Sequence, residues 1–516
     1  MDAGTDAVAP GPIQSALYPE AWDPSFVDAE GRSLHDFSYA GYHNGEREPS
    51  ADLAGPIIDV VAMGADPTGA SDSSAAIQAA IDAASVGGGI VSIPAGLYRA
   101  DGALRVEASG VVIRGEGADL SRIYFTTSAS MSQRAHLSIV GAVSSDLELA
   151  LASDANALST DVWVADAGDL AVGDDVDVGW VISPAFVEEH AMTGVWGPFN
   201  DEWQPFFRRT VVAIDASASP VRVGLDVPLR YRALTRDGAS VRRARGLLRE
   251  VGVESIGVAN AVTPDEAWAE NQVHAIEMSG VRDAWIRDVA SFPSPGAPET
   301  GEGAGAHLAS CGILVDASKR VTVADTHLAA AQNLGPGGNG YLFEIRASSE
   351  ILVRDSTGRA GRHNFIQNWG FGTSGCIFLR VHSSEGRALD SRGGFALLGA
   401  SEFHHSLAMA NLIDSSVLDD GWVGVNRLTA SSGAGHSATQ NVFWNIGGVG
   451  VIRSFQYGWG YLIGTGPELR VFTTGVPWEG LDTEPPDYTE ALGRADDLMP
   501  RSLYEDQLRR RLASTP

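Results

Sequence analysis

Ile57-Ile-Asp-Val-Val-Ala-Met-Gly-Ala-Asp-Pro-Thr-Gly-Ala-Ser-Asp-Ser-Ser-Ala-Ala-Ile-Gln-Ala-Ala-Ile-Asp-Ala-Ala84 is the stretch whose reading decides the fold. Its first part, Ile57 to Ala65, is apolar enough for a strand. Asp66-Pro-Thr-Gly-Ala-Ser-Asp72 is turn chemistry, and the serines from Ser71 to Ser74 can cap a helix. Ser74 to Ala84 then reads as an amphipathic helix, with Ile77 and Ile81 one turn apart on the same face. Gly87-Gly-Gly89 ends it. A single short helix among strands suits the open apolar end of a solenoid, which a terminal element must close.

Working outward, Ile90-Val-Ser-Ile-Pro-Ala-Gly-Leu-Tyr98 and Val111-Val-Ile-Arg-Gly-Glu-Gly117 read as strands closed by glycine turns. After residue 250 a repeat emerges. Val258-Ala-Asn260, Ile286-Arg-Asp288, Val323-Ala-Asp325, Val353-Arg-Asp355 and Val381-His-Ser383 each set a small polar residue two places after a β-branched one. They recur roughly every 30 residues, a solenoid period. The strand, the Asp66-Pro-Thr-Gly69 turn, the helix and the two glycine-closed strands together resemble the N-terminal capping unit of pectin-lyase-like β-helices, over residues 57 to 125. That resemblance implies an all-β, right-handed parallel β-helix with an N-terminal capping helix, acting on a polysaccharide. It does not choose the reaction, because function resides in sites grafted on a fold.

Five segments follow. Residues 1–50 form an N-terminal arm, with Met1 to Pro10 a small, acidic stem and Leu34 to Tyr42 aromatic enough to dock. Residues 51–141 start the β-helix. Residues 142–250 are a β-rich insertion or long rung loops: Val162-Trp-Val-Ala-Asp-Ala-Gly168 and Val176-Asp-Val-Gly-Trp-Val-Ile182 alternate, and Val195 to Phe207 is an aromatic loop. Residues 251–480 are the main β-helix. Residues 481–516 are a tail ending in a short basic-ended helix, Tyr504 to Leu512.

Composition narrows the function. The formal net charge of −29 argues against nucleic acid, whose binders must neutralise phosphates. It also weakly disfavours a polyanionic substrate, although a local arginine patch can overcome a global field. Apolar residues at 44% allow a large core, and 60 glycines suit a chain that turns often. No run is long enough to span a membrane. Cys311 and Cys376 are too few for a disulfide framework and read as buried thiols. Lys319 is the only lysine, so a lysine base is improbable. The stem predicts a secreted or cell-surface protein; the oligomeric state is left open.

In a solenoid, equivalent positions of stacked coils form ladders about 4.8 Å apart, so a site gathers residues from several coils. The stretch 362–461 is richest in polar and aromatic residues. Arg362, His363, Asn364 and Asn368 are candidates for sugar hydroxyls or carboxylates. Arg392, His404, His405, Asp414, Asp419 and Asp420 follow, with Glu402 and Asp390 as further acids. Paired carboxylates are what glycoside hydrolysis requires, one acid and one base or nucleophile. His404 and His405 alternate across a strand, so at most one faces a given neighbour. Trp369, Trp422, Trp444 and Trp459 could stack on sugar rings, and His436 could hold substrate.

The order Asp419-Asp420, Gly433-Ala-Gly-His436, Arg453 resembles polygalacturonase-like glycosidases. It departs at Ser437, at Ser454-Phe455 and in lacking an Asn-x-Asp ahead of the pair, where only Asn411 and Asp414 stand. Asn339-Gly-x-x-x-Glu344-Ile-Arg346 with Arg362-His363 resembles β-helical uronate lyases, which would bring Ca2+ near Glu344. No metal-ligand spacing is evident and no other cofactor is predicted. The first reading is therefore a glycosidase with paired carboxylates, the second a polysaccharide lyase, and the third a non-catalytic glycan-binding β-helix.

Overall fold

The computed structural model describes residues 11–49, 55–473 and 485–514; the acidic stem, Met1 to Pro10, lies outside them. The chain winds as a parallel β-helix. Its registers run unbroken from coil to coil. Val91, Ile113, Val253, Ile286, Val323, Val353, Phe378, Ile413, Phe443 and Leu462 stand in one ladder. All are buried in one continuous core. Each coil thus covers its neighbour's apolar edge, which is how a solenoid avoids exposed strands.

Two residues beyond this ladder stand Ser255, Asp288, Asp325, Asp355, Arg380, Ser415 and Asn445, every one with φ between 48 and 57°. That left-handed bend turns the chain from the first sheet, which starts with the rungs Gly89–Ile93 and Val111–Gly115, toward the second, which starts with Gly96–Ala100 and Ser121–Phe125; the third starts with Leu104–Val106 and Ala135–Val140. Asp and Asn tolerate the bend better than most residues. It explains the apolar-x-Asp triplets at Ile286, Val323 and Val353. The triplets at Val258 and Val381 belong elsewhere: Val253 and Phe378 hold the equivalent rungs. Alternation alone does not distinguish one sheet from the next.

The helix Ser74–Ala84 contacts the rungs Ile57–Asp59, Gly89–Ile93 and Leu104–Val106, at the end where the first and third sheets begin. Ile77, Ala80, Ile81 and Ala84 face the core. The N-cap is Ser73, whose carbonyl accepts from the Ile77 amide at 2.9 Å, and Asp72 Oδ1 just ahead of it accepts from the Ser74 amide at 2.9 Å. The preceding strand is short, Ile57–Asp59, because the chain turns at Val60 to Gly64.

Residues 144–245 fold as a six-stranded antiparallel sheet with its own aromatic core around Trp180, Phe186, Phe206 and Phe207. Phe371, Leu407 and Met409 of the β-helix join that core. Lys319, at the start of the strand Lys319–Ala329, is buried against this insertion, 2.8 Å from Asp175 and 2.6 Å from the Arg209 carbonyl. The arm and the C-terminal helix, Leu503–Ser514, cover the outer face of the first sheet. Leu17, Tyr18, Phe37 and Tyr504 pack on Leu352, Ile377, Leu412 and Val442. Cys311 and Cys376 are buried free thiols.

Candidate functional site

The third sheet carries a second, outward-facing ladder: Arg105, Ser138, Glu277, Leu314, Glu344, Ile366, Glu402, Val423, Arg453. Its middle is the floor of a cavity of about 460 Å³ lined by Gln272, Pro336, Gly337, Gly338, Tyr341, Arg362, Asn368, Trp369, His404, Ser431 and Ser432. That size is ordinary for a small-ligand site. Gly337 and Gly338 both have positive φ, and a Cβ on Gly338 would run into the Gln272 side chain, so only glycine lets this loop close down there. The insertion supports the opposite wall. Trp196 Nε1 donates to the Ala434 carbonyl at 2.9 Å, and Phe199 meets Trp369 edge-on at 5.7 Å.

The floor is a layered polar network. Glu344 is buried; its oxygens accept from His274 Nε2 and Asn368 Nδ2, both at 2.9 Å. Burial alone would raise its carboxyl, but the His274 bond and the Arg346 charge hold it below the usual range. Glu402 is paired with Arg427 through Oε1 and accepts from His404 Nδ1 at 2.7 Å through Oε2. That bond fixes the His404 tautomer and leaves Nε2 for the cavity. His363 Nδ1 donates to the Ala400 carbonyl at 2.5 Å. Burial, reinforced by Arg362, keeps both rings neutral: His404 is pushed down to about 4 and His363 well below its ordinary value. Burial also pushes the Tyr341 phenol up, so it keeps its proton. Arg362 Nη1 donates to the Gly335 carbonyl at 2.9 Å, while the Nε of Arg362 and that of Arg427 are buried without an acceptor.

His363, Glu402 and His404 bring ligand-type atoms within 4.8 Å of one another. Both Glu402 oxygens are already taken, Oε1 by Arg427 and Oε2 by His404, so the cluster forms a hydrogen-bonded network.

The sequence-predicted residues divide sharply. Arg362, Asn368, Trp369 and His404 line the cavity, and His363 lies beneath it. Trp369 is 43% exposed, with the His405 ring behind it at 4.6 Å and tilted by 39°. The aspartates lie elsewhere. Asp414 is buried under the C-terminal helix, accepting from Ser502 Oγ and the Tyr504 amide at 2.8 Å each. Asp420 is buried between coils, accepting from Asn364 Nδ2, Ser383 Oγ and the Gly386 and Gly421 amides. Asn364 is thereby an internal tie. Asp419 is on the outside of the coil, 2.7 Å from His382. No pair of these aspartates shares a groove, because Asp419-Asp420-Gly421 is the turn that starts a rung of the third sheet.

Trp422 is inside the coil among Phe365, Phe378 and Phe403, Trp444 is under the arm, and Trp459 is half-buried near Arg32. His436 packs on Tyr457 at 4.9 Å, away from the cavity, so the polygalacturonase-like order is not assembled as a site. Arg392 pairs with Glu302 and Asp265 on an exposed hairpin, Arg387–Leu398. Sequence reasoning missed Tyr341, Gln272, Arg427 and the Ser431–Ser432 wall. Only the ladder joining Glu344 to Glu402 would have pointed to them. A larger cleft, about 570 Å³, opens near the C-terminal end, but its Arg380 is already held by Asp355 and Glu505.

The first coils match the family model described as Rhamnogalacturonase A/epimerase, pectate lyase-like, over residues 57–147. No curated protein matches the chain in sequence. Among solved structures, the tailspike protein gp49 from Pseudomonas phage LKA1 is 14% identical, with a TM-score of 0.41, covering 84% of this chain and 81% of its own. The Gp54 tailspike of Acinetobacter baumannii bacteriophage AP22, solved with a capsular saccharide, is 11% identical, with a TM-score of 0.43, covering 87% and 61%. An exopolygalacturonase from Thermotoga maritima is 13% identical, with a TM-score of 0.33, covering 82% and 90%. The chain is a parallel β-helix whose first coils are similar to the pectate lyase-like family model.

Proposed function

We propose that the chain cleaves an acidic polysaccharide by β-elimination at this cavity. One observation carries the reading. A neutral histidine oriented by a buried carboxylate and a guanidinium line the same cavity, and among the described residues no carboxylate lines it. A glycosidase of the paired-carboxylate kind needs two acids facing the substrate. Glu344 and Glu402 instead spend their oxygens on His274, Asn368, His404 and Arg427.

The residues suit the steps of elimination. Arg362 takes the uronate carboxylate and stabilises the charge that moves onto it. His404 Nε2 removes the proton on C5, next to that carboxylate. The freed electron pair forms the C4–C5 double bond as the C4–O4 bond breaks. The departing oxygen takes the phenolic proton of Tyr341. Solvent then restores Tyr341 and discharges His404. Trp369 offers an exposed face for an adjoining sugar ring. The local arginines oppose the global negative charge, as a polyanionic substrate demands.

The test is a panel of acidic and neutral polysaccharides, followed in parallel by ultraviolet absorbance of unsaturated ends and by reducing ends. The expected result is absorbance with a uronate polymer. Reducing ends without absorbance would restore the glycosidase reading, and neither signal would leave a binding protein.

A further inference from the structure

Away from the cavity, three residues distant in sequence converge where the N-terminal arm crosses the coils. His43 sits in the short turn Tyr42–Gly45 of the arm. Glu250 precedes the strand Gly252–Asn260, and Asp283 lies one coil further on in Val281–Ser291. The Glu250 amide donates to the Asp283 carbonyl at 3.0 Å, so the two carboxylates project from adjacent coils. His43 Nε2 is 2.9 Å from Glu250 Oε1, and His43 Nδ1 is 4.0 Å from Asp283 Oδ1.

Each carboxylate has one oxygen held by an outer donor and turns the other to the imidazole. Tyr42 Oη donates to Glu250 Oε2 at 2.5 Å, and Arg320 Nη2 donates to Asp283 Oδ2 at 2.8 Å. Asp283 is 4% exposed, and its Oδ1 is buried with no donor. A buried carboxylate oxygen facing a ring nitrogen without a donor costs free energy unless a cation comes between them. Outer donors that orient carboxylates toward a shared point are the usual second layer of a metal site.

We propose that His43, Glu250 and Asp283 bind a divalent first-row transition metal of the zinc class, which pins the N-terminal arm to the coils following the insertion. The ligand-type atoms of the three residues lie within 4.8 Å of one another. Metal bonds of about 2.1 Å set tetrahedral ligands roughly 3.4 Å apart, so with a single His43 nitrogen serving as ligand the site needs to contract by at most about 1.4 Å along its longest edge. One nitrogen and two carboxylate oxygens suit zinc or manganese, and His43 and Glu250 are exposed enough for a water to complete the shell. The spacing of 43, 250 and 283 carries no local motif, which is why sequence gives no sign of it.

Cobalt(II) titration of chelator-treated protein tests this. The expected result is one visible-absorbing cobalt per chain, displaced by zinc, lost in His43→Ala and in Glu250→Gln, and retained in His363→Ala. Zinc should also raise the melting temperature of the parent protein and not of His43→Ala. Absence of stoichiometric uptake would mean a protonated His43 bridges the carboxylates alone, and uptake lost in His363→Ala but kept in His43→Ala would move the metal to the cavity; either overturns the proposal.

Discussion

His404 and His405 are sequence neighbours with opposite surroundings. His404 lines the cavity with Nδ1 on Glu402, whereas His405 bonds Ser406 and backs Trp369. If His404 is the base, His404→Ala should lower turnover by about 100- to 10,000-fold without loss of fold, as removal of a general base does. Because burial pushes His404 down to about 4, the ring is already a base above that pH. Turnover should therefore rise as pH climbs through about 4 and level off well before 6.5. A pH–rate profile with its acid limb at an ordinary histidine value would show that the reacting ring is a solvated one. Arg362, Asn368, Trp369 and His404 could be grouped from the sequence because polar residues crowd there, and they line one cavity. Asp419 and Asp420 were misread because an Asp-Asp-Gly turn looks the same whether it faces a groove or, as here, ties one rung to the next.

At the scale of the element, the helix Ser74–Ala84 was legible in its bounds and its apolar face, although no serine side chain makes the cap bond the sequence offered. Ile77 is fully buried against the first coils. Ile77→Asp would place an unpaired carboxylate there and should cost several kcal/mol, read as a large drop in denaturation midpoint. An unchanged midpoint would mean the helix contributes nothing to closing that end. The coils were less legible, since a rung is only a few residues long and both faces of the first sheet are apolar. Its inner face stacks into the core while its outer face lies under the arm and the C-terminal helix. Trp422 and Trp444 therefore read as a shared aromatic surface when one is inside the coil and the other beneath the arm. The antiparallel sheet of 144–245 was visible only as alternation, because its partners lie up to a hundred residues apart.

Over the whole molecule, buried neutral histidines set the acid response. His136, His190, His404, His405 and His436 are held near 4 and His35 near 3, all by burial, against 6.5 when unfolded. The unfolded chain takes up these protons first, so the stability present above 6.5 is lost as pH falls toward 4. Asp414 and Asp487, pushed up to about 7 by burial, act in the opposite sense over the same range but are fewer. The melting temperature should therefore be lower at pH 5 than at pH 7.5; an equal or higher value would show that the rings are solvated. The claim to which all of this leads is that the cavity eliminates and does not hydrolyse. Cleavage of a defined uronate oligosaccharide in heavy-oxygen water, followed by mass spectrometry, separates the two directly. The account predicts an unsaturated fragment and no heavy oxygen beyond the reducing-end exchange of an uncleaved control, with both products strongly reduced for His404→Ala. Saturated fragments carrying one heavy oxygen would contradict it.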